Sequence, residues 1–217
     1  GTRFGANALA GMINITTKAP TDEFEGAVRV DAGNYDSYGL GLALSGPASD
    51  SVNYRFALNK HVSDGYMENS FLNTDDENNR NELNVRGKLS IAATSDLTID
   101  LTGFYFDFNN GYDAFSLDNT RTTYSDEPGF DDQETKALAT KLTYQGFEGF
   151  TLVSILTASD SDLAYGYDED WAYVGISFPE NIENQDFAYW EYTSRDHYFR
   201  EKSVQTVELR AISAAGN

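Results

Sequence analysis

The acidic residues are the side chains of this sequence with the clearest capacity for chemistry. They form clusters at residues 75–77, 131–132 and 168–170. Carboxylate oxygens are the ligands that hard cations such as Ca²⁺ prefer, and two flanking carboxylates are enough for glycoside hydrolysis. None of the three clusters has the spacing of a Ca²⁺-binding loop. We therefore interpret them as solvated loop segments.

Other catalytic and metal-binding patterns lack the residue types that they need. His61 and His197 are the only histidines and there is no cysteine, so no spacing indicates a zinc site. No G-x-S-x-G turn precedes a helical pattern, which leaves a serine hydrolase unsupported. The sequence predicts no catalytic residue, no metal site and no cofactor.

Aromatic side chains are the better candidates for contact with a ligand. The chain contains 14 Tyr, 14 Phe and 2 Trp, and rigid rings contribute contact area at a low entropic cost. Several rings fall in segments that carry no regular pattern, where packing within loops is the alternative role. The candidate substrate-binding residues are Tyr112, Phe115, Trp171, Tyr173, Trp190 and Tyr192.

Charge and hydropathy exclude some partners and one kind of membrane protein. The formal net charge is -20, which disfavours a nucleic-acid backbone as a partner. No apolar run approaches the roughly 18 residues that a membrane-spanning helix needs. A transmembrane β-barrel stays open, because its strands alternate lipid-facing and interior-facing side chains.

Alternation with a period of two is the dominant pattern and predicts about eight strands, in an all-β, antiparallel fold. Many stretches are longer than the strands of soluble proteins and suit a bilayer crossing. The four prolines, Pro20, Pro47, Pro128 and Pro179, are predicted to lie between strands. The predicted strands lie near residues 24–32, 38–45, 52–59, 82–91, 97–107, 138–144, 150–157 and 206–210.

The predicted connections alternate between short and long after the first. Long ones are expected at residues 63–81, 109–133 and about 161–200, and short ones at 46–50, 93–96 and 145–148. Such asymmetry is typical of a transmembrane barrel, although a sandwich can also gather long loops at one end. On the polar sides of the strands, Arg55, Arg86 and Lys88 are expected to pair with interior carboxylates or attract an anionic ligand.

Residues 1–20, with the sequence GTRFGANALAGMINITTKAP, resemble the C-terminal end of the plug domain of TonB-dependent receptors. The family pattern is a glycine-rich turn, G-T-x-F-G-x-N-A-x-A-G, followed by a short strand ending in I-N-I-x-T-K. Gly5, Asn7, Gly11 and Asn14 stand at matching positions. The resemblance implies two segments: the end of a plug at residues 1–20 and the N-terminal part of a barrel of the roughly 22-stranded type at residues 21–217.

The resemblance also implies a function and a location. It implies TonB-dependent active import of a scarce nutrient, foremost a ferric siderophore, across the bacterial outer membrane. The implied partners are the TonB complex of the inner membrane, reached through the plug, a small-molecule or metal-chelate substrate, and outer-membrane lipid with lipopolysaccharide. The chain is then expected to be a fragment without enzymatic activity. A secreted all-β carbohydrate-active enzyme or lectin, and a passive porin-like barrel, remain the alternatives.

Overall fold

The structure, a computed structural model, describes residues 15–112, 114–177 and 190–213. Within these ranges every regular element is a β-strand. Eight long strands and two short ones follow each other along the chain. They are β1 (Glu25–Gly33), β2 (Ser37–Ser49), β3 (Val52–Ser63), β4 (Glu68–Asn69), β5 (Arg80–Ala92), β6 (Leu97–Asn110), β7 (Thr122–Thr123), β8 (Phe130–Tyr144), β9 (Phe150–Asp168) and β10 (Arg195–Ser213).

The eight long strands form one antiparallel sheet in which each strand pairs with the next long strand of the sequence. The order is β1-β2-β3-β5-β6-β8-β9-β10. The short strands β4 and β7 pair with each other in parallel and lie in two of the long connections. The predicted antiparallel all-β fold and its eight strands are therefore confirmed.

One face of the sheet, here called the apolar face, carries aliphatic side chains in continuous cross-strand rows. Leu89 lies opposite Leu101, and Ile91 opposite Ile99. These side chains are not covered by other parts of the chain: Val28 is 70% exposed and Val207 is 77% exposed. An apolar surface of this extent must meet another apolar phase.

The opposite face, here called the polar face, carries the alternate residues of the same strands. Arg55 lies opposite Lys88, which lies opposite Thr102. The segregation follows from the strict side-chain alternation of a strand, and it positions cations and hydroxyls on one side only.

The apolar face changes character along the strands. On β6 its apolar part extends from Leu97 to Tyr105, roughly 27 Å along the strand at about 3.4 Å per residue. Beyond it, a row of carboxylates crosses four neighbouring strands at Asp107, Glu134, Asp162 and Glu201. The apolar band is thus of the height that a transmembrane barrel presents to lipid, about 25 Å.

Two details of the strand prediction were wrong. Strand β9 continues to Asp168 and β10 begins at Arg195, so the connection expected at residues 161–200 is shorter. Polar side chains fill both faces of these extensions, which is why the sequence reads as a loop. Pro47 lies inside β2, where the register with β3 shifts between Pro47 and Ser49; such an irregularity tolerates a residue that lacks a backbone N–H.

The connections segregate by end as predicted. Residues 50–51, 93–96 and 145–149 make short turns at one end of the sheet. Residues 64–79, 111–129 and 169–194 make the long connections at the other end, together with the short turn at 34–36. Among the described residues, no helix is long and apolar enough to cross a membrane.

The described parts of the long connections pack against each other as a cap, here called the loop cap. Asn69 on β4 donates through its side-chain amide to the carbonyl of Ser125 at 3.0 Å. Met67 is 1% exposed and Ala172 is 0% exposed, so the three connections share buried contacts. Most of the buried side chains in the described residues belong to this cap rather than to the sheet.

Candidate functional site

A group of tyrosines marks the loop end of the polar face. Tyr112 follows β6, and its ring makes an edge contact with Tyr165 at 4.5 Å between centroids. Tyr165 in turn lies 5.7 Å from Tyr167 and 6.0 Å from Tyr198. We call Tyr112, Tyr165, Tyr167 and Tyr198 the tyrosine cluster. Three of its members come from the extensions of β9 and β10, whose alternation directs them to one face.

Two phenols of the cluster share one carboxylate. Tyr198 donates to an oxygen of Asp196 at 2.6 Å, and Tyr167 donates to the same oxygen at 3.4 Å. The hydrogen bond to Asp196 and its negative charge raise the pKa of Tyr198. Burial and then the charge of Asp196 raise the pKa of Tyr167. Tyr167 and Tyr198 can therefore offer ring faces and neutral phenols to a ligand at neutral pH.

The other predicted aromatic residues are distributed through the loop cap. Phe115 packs on Trp171 at 4.3 Å, Tyr173 stacks on Phe71 at 4.5 Å, and Trp190 lies 4.8 Å from Tyr192. Each of the six candidates thus has an aromatic neighbour, but the structure does not gather them at one point. Of the six, only Tyr112 belongs to the tyrosine cluster, and the assignment of all six to substrate binding stays a prediction.

Two carboxyl groups hold the centre of the loop cap. Asp168, which is 0% exposed, accepts hydrogen bonds from the backbone N–H groups of Asp126 at 3.1 Å and Trp171 at 2.9 Å. Asp170 accepts from the backbone N–H of Ser194 at 2.9 Å and from the indole of Trp190. Trp171 has a φ of 56°, a left-handed conformation that is uncommon for a bulky residue. The two aspartates therefore tie three chain segments together.

A basic notch lies on the polar face nearer the short turns. It has a volume of about 180 Å³ and is lined by Arg55, Arg86 and Lys88 with the backbone segment at residues 17–18. The ammonium of Lys88 donates to the carbonyls of Thr17 at 3.1 Å and Lys18 at 3.0 Å. The three cations predicted to face an interior are thus brought together, and one of them holds the segment that precedes β1.

Aromatic rings continue along the polar face above the notch. Phe104, Phe106 and Phe108 alternate on β6 with centroids 6.0 Å and 5.9 Å apart. The guanidinium of Arg86 lies 4.5 Å from the centre of the Phe104 ring, a cation–π contact. A row of rings therefore leads from the basic notch towards the tyrosine cluster.

The plug-motif residues and the histidines contribute no further part of the candidate site. The plug-motif residues Gly5, Asn7, Gly11 and Asn14 lie outside the described residues. His61 and His197 lie in β3 and β10, and no group of three or more His, Cys, Asp or Glu within the described ranges could hold a metal ion.

Sequence reasoning missed most of the tyrosine cluster. Tyr165, Tyr167 and Tyr198 were assigned to a long connection because the segments around them are polar on both sides. The spacing of two between Tyr165 and Tyr167 was the signal of a strand that could have placed them on one face.

Comparison with known proteins finds similar receptors over part of the chain. No protein-family model matches the chain. A stretch of 51 residues is 45% identical to the ferripyoverdine receptor of Pseudomonas aeruginosa, which covers 24% of this chain and 6% of that receptor. A stretch of 77 residues is 36% identical to the pesticin receptors of Yersinia enterocolitica and Yersinia pestis, covering 35% of this chain and 11% of each receptor. Over these stretches the chain is similar to TonB-dependent receptors.

The fold of the chain agrees with that of a solved structure. A chain of the FpvAI-pyocin S2 complex superposes with a TM-score of 0.61 at 17% identity, over 88% of this chain and 26% of the other. The chain therefore spans about a quarter of its structural neighbour. Its apolar face, long strands and segregated loops are those of part of a receptor barrel. Its similar proteins are receptors rather than enzymes.

Proposed function

We propose that the receptor containing this chain actively imports a ferric siderophore across the bacterial outer membrane, driven by the TonB complex. The observation that carries the proposal is the tyrosine cluster, because it places ring faces and phenol hydroxyls on the polar face, at the end where the long loops meet. A similar protein is a receptor for ferripyoverdine, which supports an iron chelate as the substrate class.

The domain arrangement is part of the proposal. Residues 1–20 form the end of a plug domain, and residues 21–217 form the N-terminal part of the transmembrane barrel. The polar face then points into the barrel, where Lys88 holds the backbone of residues 17–18 against the wall. The apolar face meets outer-membrane lipid and lipopolysaccharide, and the TonB complex acts through the plug.

The tyrosine cluster suits a metal chelate that carries planar groups. Its rings can stack on aromatic or amide planes of a ligand. The phenol oxygens of Tyr167 and Tyr198, whose hydrogens are donated to Asp196, can accept hydrogen bonds from ligand donors. The row of Phe104, Phe106 and Phe108 continues the same kind of surface deeper along β6. In this arrangement the substrate contacts the cluster first and the phenylalanine row afterwards.

The variant Tyr165→Ala in the full-length receptor tests the binding role. Tyr165 contacts the three other rings of the cluster or lies within 6.0 Å of them, so its loss opens the centre of the surface. We expect about tenfold weaker binding of the cognate ferric siderophore, equivalent to about 1.4 kcal/mol. Tyr144→Ala, on the apolar face near the short turns, is the matched control. Equal affinity of the two variants would contradict the assignment.

Radioiron uptake under iron starvation tests the transport role. Uptake should disappear when the gene of this receptor or that of TonB is deleted, because transport is energised from the inner membrane. A passive porin would continue to conduct without TonB. A different substrate would be indicated if, in cells grown on a glycan, the receptor mutant kept its iron uptake but lost uptake of the glycan.

A further inference from the structure

The long connections carry most of the negative charge of the chain. Residues 64–79 contain five acidic residues and no basic one, residues 111–129 contain four and one, and residues 169–194 contain six and none. Their formal net charge is therefore -14, out of -20 for the whole chain. Clustered charge of one sign raises the local concentration and the association rate of ligands of the opposite sign. The loop end of the polar face thus attracts cations and repels anions.

The tyrosine cluster lies at this end, and its rings are inclined to one another as in an aromatic cage. The ring planes of Tyr112 and Tyr167 are inclined to that of Tyr165 by 72° and 52°. The ring of Tyr198 is inclined to it by 34°. Tyr198 is 49% exposed and Tyr112 is 42% exposed, so the group is open to a ligand. Ring faces arranged in this way attract ammonium and guanidinium groups.

Two carboxylates adjoin these rings. Asp196 accepts hydrogen bonds from Tyr167 and Tyr198. Asp131 is exposed and lies directly opposite Tyr165 in the register of β8 and β9. Its carboxylate forms no hydrogen bond or ion pair within the described part of the chain. An unpaired carboxylate beside several rings is available for a charge-assisted hydrogen bond with a cationic ligand group.

The basic side chains near this end are engaged elsewhere or lie deeper. Arg121, the one basic residue of the three connections, donates to the hydroxyl of Tyr35 at 2.5 Å. Arg195 pairs with Glu127 at 3.3 Å. Arg200 follows on the polar face of β10, two residues beyond the last ring of the cluster and about 7 Å nearer the short turns. The cluster thus has negative charge on its loop side and a positive charge on its deeper side.

We infer that the substrate is a ferric chelate that carries a protonated amine or guanidinium, and that this cationic group binds against the rings of the tyrosine cluster and the carboxylate of Asp131. The inference rests on the proposed transport function and specifies the substrate class of the same site. The phenol oxygens of Tyr167 and Tyr198 accept hydrogen bonds from the N–H groups of the cation, because their own hydrogens are donated to Asp196. The oxygen donors around the iron then face Arg200, deeper on the polar face.

The probe for the test is the radioiron chelate that the purified full-length receptor retains from the medium of its own iron-starved strain. Acetic anhydride blocks the amines of this chelate and butanedione blocks its guanidinium groups, so parallel treatments identify the cationic group. We expect one of the two treatments to weaken binding to the receptor by about tenfold. The association rate of the untreated chelate should fall as the salt concentration rises, because salt screens its attraction to the acidic connections.

Two variants with the same change of charge separate local contact from long-range attraction. Asp131→Asn removes the carboxylate beside Tyr165, whereas Asp162→Asn removes an exposed carboxylate from the opposite face of the neighbouring strand. We expect the untreated chelate to bind about fivefold more weakly to Asp131→Asn and less than about twofold more weakly to Asp162→Asn. Heat-modifiable electrophoresis reports whether each variant is folded, and the chemical treatments of the chelate depend on neither variant.

Three results would overturn the inference. These are binding that survives both treatments of the chelate, an association rate that rises with salt, and equal affinities of Asp131→Asn and Asp162→Asn for the chelate. In each of these cases the retained radioiron chelate would still support the proposed function. If the receptor retains no radioiron chelate, the proposed function fails and this inference fails with it.

Discussion

At the scale of single residues, Asp168 has a strongly perturbed carboxyl group. Burial, and then the hydrogen bond and charge of Asp170, raise the pKa of Asp168 to about 7. Nearby charges pair elsewhere: Arg195 contacts Glu127 at 3.3 Å, and Asp126 accepts from Thr193 at 2.9 Å. No cation among the described residues neutralises the aspartate pair. The raised pKa of Asp168 reduces the negative charge at this site instead.

This arrangement predicts that the loop cap weakens as the pH rises. Because the folded pKa of Asp168 lies above its unfolded value of 3.8, the folded cap binds more protons than the unfolded one. The free energy of unfolding of the cap should fall between about pH 4 and pH 7 and stay constant above. Fluorine NMR of fluorotryptophan-labelled receptor measures this, since Trp171 and Trp190 both lie at the cap and are the only tryptophans of the chain.

The substitution Asp168→Asn is the control for that titration, because it keeps a similar shape and removes the ionisable group. The variants Trp171→Phe and Trp190→Phe assign the two resonances. A transition near pH 7 in the native receptor that is absent from Asp168→Asn is the expected result. Identical titrations in both proteins would show that another group governs the cap.

At the scale of elements, β10 carries a matched pair of positions that tests where the membrane ends. Val207 and Phe199 share one face of the strand and are 77% and 75% exposed, but Val207 lies in the apolar band and Phe199 beyond the carboxylate row. In a bilayer, Val207→Arg should lower the free energy of unfolding by about 2–4 kcal/mol and Phe199→Arg by no more than about 1 kcal/mol. Denaturant titration of the receptor in vesicles measures both. Equal losses of the free energy of unfolding in the two variants would contradict this position of the apolar band.

The long strands show which parts of this fold can be predicted from the sequence and which cannot. Alternation predicted the strands wherever one face is aliphatic, as around Leu89 and Leu101, because a one-residue slip would expose the wrong face. It failed for the extensions that contain Tyr165 and Tyr198, where both faces meet water and no hydrophobic period remains. Contacts in the loop cap, such as Asn69 with Ser125, join residues far apart in sequence and leave no local signal.

At the scale of the whole molecule, the sheet lacks a core of its own. The buried hydrophobic side chains among the described residues are Met67, Val153, Ala172 and Ile176, and only Val153 lies in the sheet. Strand β1 is exposed along its full length, and it pairs on one edge only, as does β10. Unpaired edges are costly in lipid and promote association in water.

The isolated chain is therefore expected not to fold into a stable native structure. Produced alone and transferred to detergent, it should show no cooperative unfolding and no heat-modifiable band, whereas the full-length receptor shows both. The reason is that most of the burial available to the sheet comes from lipid, from the neighbouring barrel strands and from the interior that faces Arg55, Arg86 and Lys88. Reversible, cooperative unfolding of the isolated chain would mean that the hydrogen bonds of one curved sheet and its loop cap suffice, and that barrel closure contributes little to the stability of this part.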